Sequence, residues 1–271
     1  MNVFKKTLTL VILLVVMSSP VLAANDHQEN DYHGHPKVPA GIPSTVKNGM
    51  VNSYSTNWAG YDVVTSTGEV TSVKGSWIVP AVNSKVGNSY SANWIGIDGD
   101  TSSTVEQVGT SSDNPSKNTA SYYAWFEFYP EPCYKIDTIQ VKPGDLMSAE
   151  IKFEDGVCYA NITDKTTGQS YSAKHADTGY EKKSAEWIVE APWFNRILPL
   201  ANFGTTSFGS DYTFIDSTCS AAINGVSGNI SSYGSSVNSI TMVNNKGQVK
   251  AQPSALSSSG TSFNVAWKRA S

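Results

Sequence analysis

From Tyr54 onward the chain is cut into short runs rich in Val, Ile, Tyr, Phe, Trp and Thr, separated by Gly, Asn, Asp, Ser and Pro. Such runs fall at 72–79, 121–129, 146–154, 159–163 and 185–190. Branched and aromatic side chains lose rotamer freedom in a helix but pack well on a pleated surface, so these runs read as strands. Sustained 3.6-residue periodicity is scarce. Glu154-Asp155-Gly156 and Thr166-Thr167-Gly168 place turn chemistry where hairpins would close. A loop over 254–262 precedes a last strand at 263–267. The fold class expected is all-β, one domain over 51–271 built as two packed antiparallel sheets. About 220 residues suffice for a sizeable core.

The N-terminus is of another kind. Lys5-Lys6 precedes an apolar run from Leu8 to Met17, and Ser18-Ser19-Pro20-Val21-Leu22-Ala23-Ala24 follows with small residues suited to cleavage. Residues 1–24 therefore read as a secretory signal peptide. The run is shorter than the roughly 20 residues that span a bilayer, so a secreted, extracellular protein with no membrane partner is expected. Residues 25–50 form a polar tail or short propeptide holding His27, His33, His35, Pro36, Pro39 and Pro43. Histidines so spaced could bind a metal, but a solvated flexible segment is the simpler reading.

Charge narrows the function further. Loss of residues 1–24 removes Lys5 and Lys6 and leaves 17 basic against 23 acidic residues. Nucleic acid needs clustered Lys and Arg and is an unlikely partner for such a chain. Only 15% of residues are charged, which leaves few groups to titrate in acid. Cys133, Cys158 and Cys219 leave one thiol unpaired in a monomer, and export makes Cys133 with Cys158 the preferred bridge. The cysteines lack zinc-type spacing, and Asp98-Gly99-Asp100 lacks the later acid of a calcium loop, so no metal and no cofactor is expected. His175 has no nucleophile elbow near it, which disfavours a serine hydrolase.

Alternation locates the candidate chemistry. In 185–190 it puts Glu186, Ile188 and Glu190 on one face and Trp187 with Val189 on the other. In 124–130 it sets Glu127 between Trp125 and Tyr129. Asn57-Trp58 and Asn93-Trp94 add two further tryptophans. These residues alone fit a solvated acidic face, a catalytic cleft or an aromatic binding groove. A glycoside hydrolase would pair Glu127 with Glu190, and a sugar-binding lectin would use the aromatics without turnover.

Taken in order, Asn57-Trp58-Ala59-Gly60, Trp94 to Thr101, Gln107-Val108-Gly109, Ala124 to Pro130 and Ala185 to Glu190 resemble the glutamic peptidases, or eqolisins. The likeness covers roughly residues 54 to 215. It implies a lectin-like, concanavalin-type sandwich and an acid endopeptidase acting on protein or peptide substrates. It further implies that Gln107 and Glu190 are the catalytic pair, and that Trp58, Trp94, Asp98 and Glu127 contact substrate. A Gln N–H on the carboxylate would lower the Glu pKa and help a base to work in acid. The chain departs from the fungal pattern at Tyr123, at Ala191-Pro192-Trp193 and after Gly109. Family propeptides tend to be basic, whereas here Lys37 and Lys47 stand against Asp26, Glu29 and Asp31. Autoinhibition is not expected on that ground.

Overall fold

A computed structural model describes residues 34–47, 49–209 and 219–271. The signal sequence, His27 and His33 lie outside the described residues. Eighteen strands occur among those described. The first nine are β1 (Thr45–Lys47), β2 (Met50–Ser55), β3 (Trp58–Val64), β4 (Val70–Ile78), β5 (Ala92–Ile97), β6 (Val105–Ser116), β7 (Thr119–Tyr129), β8 (Tyr134–Ile136) and β9 (Leu146–Glu154). The rest are β10 (Val157–Asp164), β11 (Ser170–Ala176), β12 (Ser184–Glu190), β13 (Thr205–Phe208), β14 (Ser220–Ile223), β15 (Val226–Asn229), β16 (Val237–Val243), β17 (Val249–Pro253) and β18 (Phe263–Trp267). One short 3-10 helix spans Ile230–Ser236. The runs at 146–154 and 263–267 coincide with β9 and β18, those at 121–129, 159–163 and 185–190 lie inside slightly longer strands, and that at 72–79 runs one residue past the end of β4.

Pairing resolves these strands into two layers. One follows the order β1-β2-β16-β3-β12-β5-β6-β7-β8. The other runs β17-β18-β13-β4-β9-β10-β11, with the β14–β15 hairpin alongside the start of β4. The β16–β17 pair joins the layers along one side. The strand pairs are antiparallel except β2 with β16, a departure from two purely antiparallel sheets. Between β9 and β10, Asp155 and Gly156 adopt φ of 51° and 74°, the two positive values that a two-residue hairpin turn requires.

The core fills the space between layers. Tyr61, Val63, Ile95, Ile97, Val108, Phe126, Phe128, Trp187 and Val189 of the first sheet meet Val73, Trp77, Met147, Ile151 and Ile162 of the second. Burial of so much apolar surface is the main stabilising contribution. Each core tryptophan also satisfies its indole N–H across the layers: Trp187 Nε1 donates to Lys74 O at 2.7 Å and Trp77 Nε1 to Thr110 Oγ1 at 2.8 Å. Gly60 lets β3 and β12 approach closely. It has φ of 150°, and a Cβ there would collide with Trp187 O.

The opposite face of the first sheet carries a second apolar cluster containing Trp58, Trp94, Val105, Trp125, Cys133 and Ile188. The Cys133–Cys158 bridge is not formed; all three cysteines are free and buried. The reason is positional, since Cys158 points into the core between layers and Cys133 packs on the other side of the first sheet. Burial pushes the Cys158 and Cys219 thiols up, which keeps them protonated and unreactive. A thiol reagent is expected to label none of the three in the folded protein and all three after denaturation under non-reducing conditions. A single labelled cysteine in the denatured chain would instead show a bridge.

Candidate active site

Alternation along five neighbouring strands lines one face of the first sheet with the candidate residues. Gln107 on β6 stands opposite Glu127 on β7 and Gly96 on β5, and the same row continues to Glu186 on β12 and Asp62 on β3. The next row is Trp125, Gly109, Trp94, Ile188 and Gly60. Glycines at 96 and 109 keep the floor low: a Cβ on Gly109 would lie 2.6 Å from the Trp94 Cβ. Trp58 and Trp94 meet edge to face at 5.0 Å. Glu127, Glu186 and Glu190, read from sequence as candidates for a solvated face, are each fully buried.

Glu190 is held from several sides. Trp94 Nε1 donates to its Oε2 at 2.9 Å, and Asn57 Nδ2 donates to its Oε1 at 3.3 Å. Burial raises the Glu190 pKa well above the ordinary carboxylate range, and the Glu127 charge adds to the shift. The expected Gln contact to this carboxylate is not made. Gln107 Nε2 donates to Glu127 Oε2 at 2.8 Å instead, because register puts those two residues directly opposite. The expected lowering of the Glu pKa does not occur, because burial and then the Glu127 charge raise it. Gln107 Oε1 is buried without a hydrogen-bond partner among the described residues.

Two further acids differ from these. Asp98, with φ of 72°, turns its carboxylate to the backbone: its oxygens accept from Lys182 N at 2.7 Å and Lys183 N at 2.8 Å. It braces the entry to β12 and is not among the groups around Glu190. Glu186 lies opposite Asp62, and burial raises both pKa values well above normal.

The segment read as a solvated tail lies across this face. Gly34 N donates to Glu127 Oε2 at 2.9 Å and His35 N to Glu190 Oε1 at 3.1 Å. His35 O accepts from Trp58 Nε1 at 3.0 Å and Asn57 Nδ2 at 3.2 Å, while Val38 N donates to Asn57 Oδ1 at 2.8 Å. The His35 ring stacks on Trp193 at 4.8 Å. Lys37 Nζ reaches Asp100 Oδ2 at 2.6 Å and Asp62 Oδ2 at 3.7 Å. Thus Gln107, Glu127, Glu190, Trp58 and Trp94 are brought together around one extended piece of backbone. Asn57, Asp62, Asp100 and Trp193 join them, and the sequence did not single out their roles. The Asn before Trp58 was the available signal for the first.

Comparison with known proteins shows the family and the fold. The profile of the Peptidase A4 family matches residues 56–264. Aspergillopepsin-2 of Aspergillus niger is 28% identical over 200 residues, covering 64% of this chain and 70% of its own. The fold is similar to scytalido-glutamic peptidase crystallised with a transition state analog inhibitor, at TM-score 0.65 and 23% identity, with 79% of this chain and 98% of that one covered. Aspergilloglutamic peptidase from Aspergillus niger aligns at TM-score 0.53 and 25% identity, over 66% of this chain and 99% of that one. By the extent of the profile match, the chain belongs to the Peptidase A4 family and is a peptide hydrolase.

Proposed function

We propose that this protein is a secreted acid endopeptidase in which Glu190 and Gln107 form the catalytic pair. The observation that carries this reading is the peptide nitrogen of His35 at 3.1 Å from Glu190 Oε1, with the preceding residue, Gly34, against Gln107 and Glu127. An extended chain in the groove thus presents a peptide bond to the pair. Once water and substrate replace the segment that covers it and relieve the burial that raises its pKa, Glu190 in its ionised form takes a proton from water as the water oxygen attacks the peptide carbonyl carbon. Protonated Glu190 then gives that proton to the leaving nitrogen. Gln107 Nε2 supplies an N–H to the carbonyl oxygen as negative charge develops, and as an amide it keeps that donor at any acid pH. Trp58, Trp94 and Glu127 hold the substrate backbone and the pair. Asp98, by contrast, acts through the Lys182–Lys183 backbone.

Loss of one oxyanion donor typically costs about 10²–10³ in kcat, and Gln107→Ala is expected to fall in that range with KM little changed. Digestion of an unfolded protein at acid pH, with mass spectrometry of the new termini, tests the activity. Resistance of that digestion to metal chelators and to serine and cysteine reagents is expected. Release of reducing sugar from polysaccharide without peptide cleavage would replace this reading by a glycoside hydrolase.

A further inference from the structure

A second cavity adjoins the groove. It holds about 730 Å³ between the loop at 193–199, the turn from β16 to β17 and residues 270–271. Trp193, on which the His35 ring stacks, lines both this cavity and a smaller one around Gly34, His35, Tyr129 and Pro130. Thr56 also links the two sides: its N–H donates to Val38 O at 2.9 Å, and its own carbonyl accepts from Lys250 Nζ at 3.4 Å. Lys250 is only 4% exposed, yet it lines the larger cavity. Register explains how a lysine comes to lie there. Met242 pairs with Ala251 and Val243 with Val249, so Lys250 is the extra residue of a bulge between β16 and β17. A bulge bends its strand and re-aims the side chain it carries.

An ammonium group carries three N–H donors, and the long bond to Thr56 O uses one of them. Burial alone lowers the Lys250 pKa, to about 8, with no carboxylate raising it. No Asp or Glu side chain lines the cavity among the described residues; its charged side chains are Lys250, Arg196 and Lys246. Ser271 forms part of the wall and makes no ion pair with Lys250 among those residues. A buried charge without a counter-charge is costly unless a partner meets it. We propose that this cavity is a carboxylate-binding site, in which Lys250 donates to the anion from the buried wall while Arg196 and Lys246 add charge from exposed positions. A peptide lying where residues 34–38 lie is separated from Lys250 by Thr56 alone. An acidic side chain of such a peptide is therefore one source of the carboxylate, and this part rests on the peptidase reading above. A small free carboxylate is the other source. Either must be ionised and Lys250 charged, so binding is expected between about pH 4 and about pH 8.

Titration of the full chain with acetate, followed through the amide NMR signals of Thr56 and Val249, tests the site. Saturable shifts are expected near pH 6, with affinity falling as pH rises through about 8 and the Lys250 charge is lost. Lys250→Met should weaken acetate at least about tenfold. It should unfold no earlier than wild type, because it removes an unpaired buried charge. Arg196→Gln combined with Lys246→Gln changes two exposed positions, keeps Lys250, and should weaken acetate by a few-fold. Peptides in which one glutamate is moved position by position, each with a glutamine counterpart, separate the two sources. At one position glutamate should be favoured about tenfold in KM near pH 6, and Lys250→Met should lose that preference. Lys250-dependent acetate binding with no glutamate preference at any position would assign the site to a free carboxylate. Acetate shifts that are absent, or unchanged in Lys250→Met, together with no Lys250-dependent glutamate preference, would overturn the proposal. Absence of cleavage of every peptide, with Lys250-dependent acetate binding intact, would overturn the peptidase reading alone.

Discussion

Glu190→Gln is expected to abolish peptide cleavage at every pH while the chain still folds. Both proton transfers pass through this one carboxyl group, and each is typically worth about 10²–10⁴. A loss of at least about 10⁴ in kcat is therefore expected. The fold should tolerate the change because the replacement has the same shape and burial already favours the uncharged acid. Gln Oε1 can still accept from Trp94 Nε1, which donates at 2.9 Å in the native chain. Glu186→Gln is the control. Glu186 shares a face and full burial with Glu190, yet it lies opposite Asp62, and its carboxylate oxygens have no hydrogen-bond partner among the described residues. Its activity is expected to stay within a few-fold of wild type. Steady-state kinetics at saturating peptide, with thermal unfolding of each variant alongside, decide the matter. Inactive Glu186→Gln with active Glu190→Gln would move the catalytic role to Glu186.

Stability is expected to rise as pH falls from about 7 towards 4, the reverse of ordinary acid unfolding. Burial holds the Asp113 carboxyl up to about 7 and raises those of Asp62, Glu106, Glu186 and Glu190 well above normal. Each binds its proton more tightly folded than unfolded. Between the unfolded and folded pKa values, unfolding therefore releases protons and stability decreases with rising pH. For Asp113 alone, one pKa unit being worth 1.36 kcal/mol, the contribution is at most about 4 kcal/mol. Asp177, whose pKa is lowered despite partial burial by its bonds to Lys182, Gly179 and Tyr180, works in the opposite sense near the acid end. The raised Lys37 pKa adds stability that is lost only at high pH. With about 2–4 °C per kcal/mol for a domain of this size, the unfolding midpoint should be several degrees higher near pH 4 than near pH 7. A midpoint that fell over that interval would contradict the assignment of these acids as buried and protonated. Low charge content was the reason for acid tolerance visible in the composition, and the buried carboxylates are a second one.

The sheet faces were legible because alternation has a period of two that no neighbour alters. Trp187 and Val189 go to the core, and Glu186, Ile188 and Glu190 go to the groove. The turn at Asp155-Gly156 was legible for an equally local reason. The partner of Gln107 was not, because it depends on the register of the β6–β7 hairpin, which sets Gln107 against Glu127. Nor was the fate of Cys133, which depends on which side of the first sheet the segment between β7 and β8 passes. The clearest failure concerns residues 34–38. Counting charges over 25–50 found no basic excess, yet a single lysine meeting two carboxylates, 25 and 63 positions further along the chain, matters more than the sum. Net charge describes long-range attraction. Local anchoring depends on burial and geometry.

The segment that crosses the groove runs on through Pro39 into β1 and β2, at the margin of the sheet that holds Glu190. A segment attached this way cannot diffuse off. Lys37 lies two positions before Pro39, which bridges to Ser55, and so short a tether corresponds to an effective concentration in the millimolar range or above. Coverage of the groove should therefore be indifferent to how far the protein is diluted.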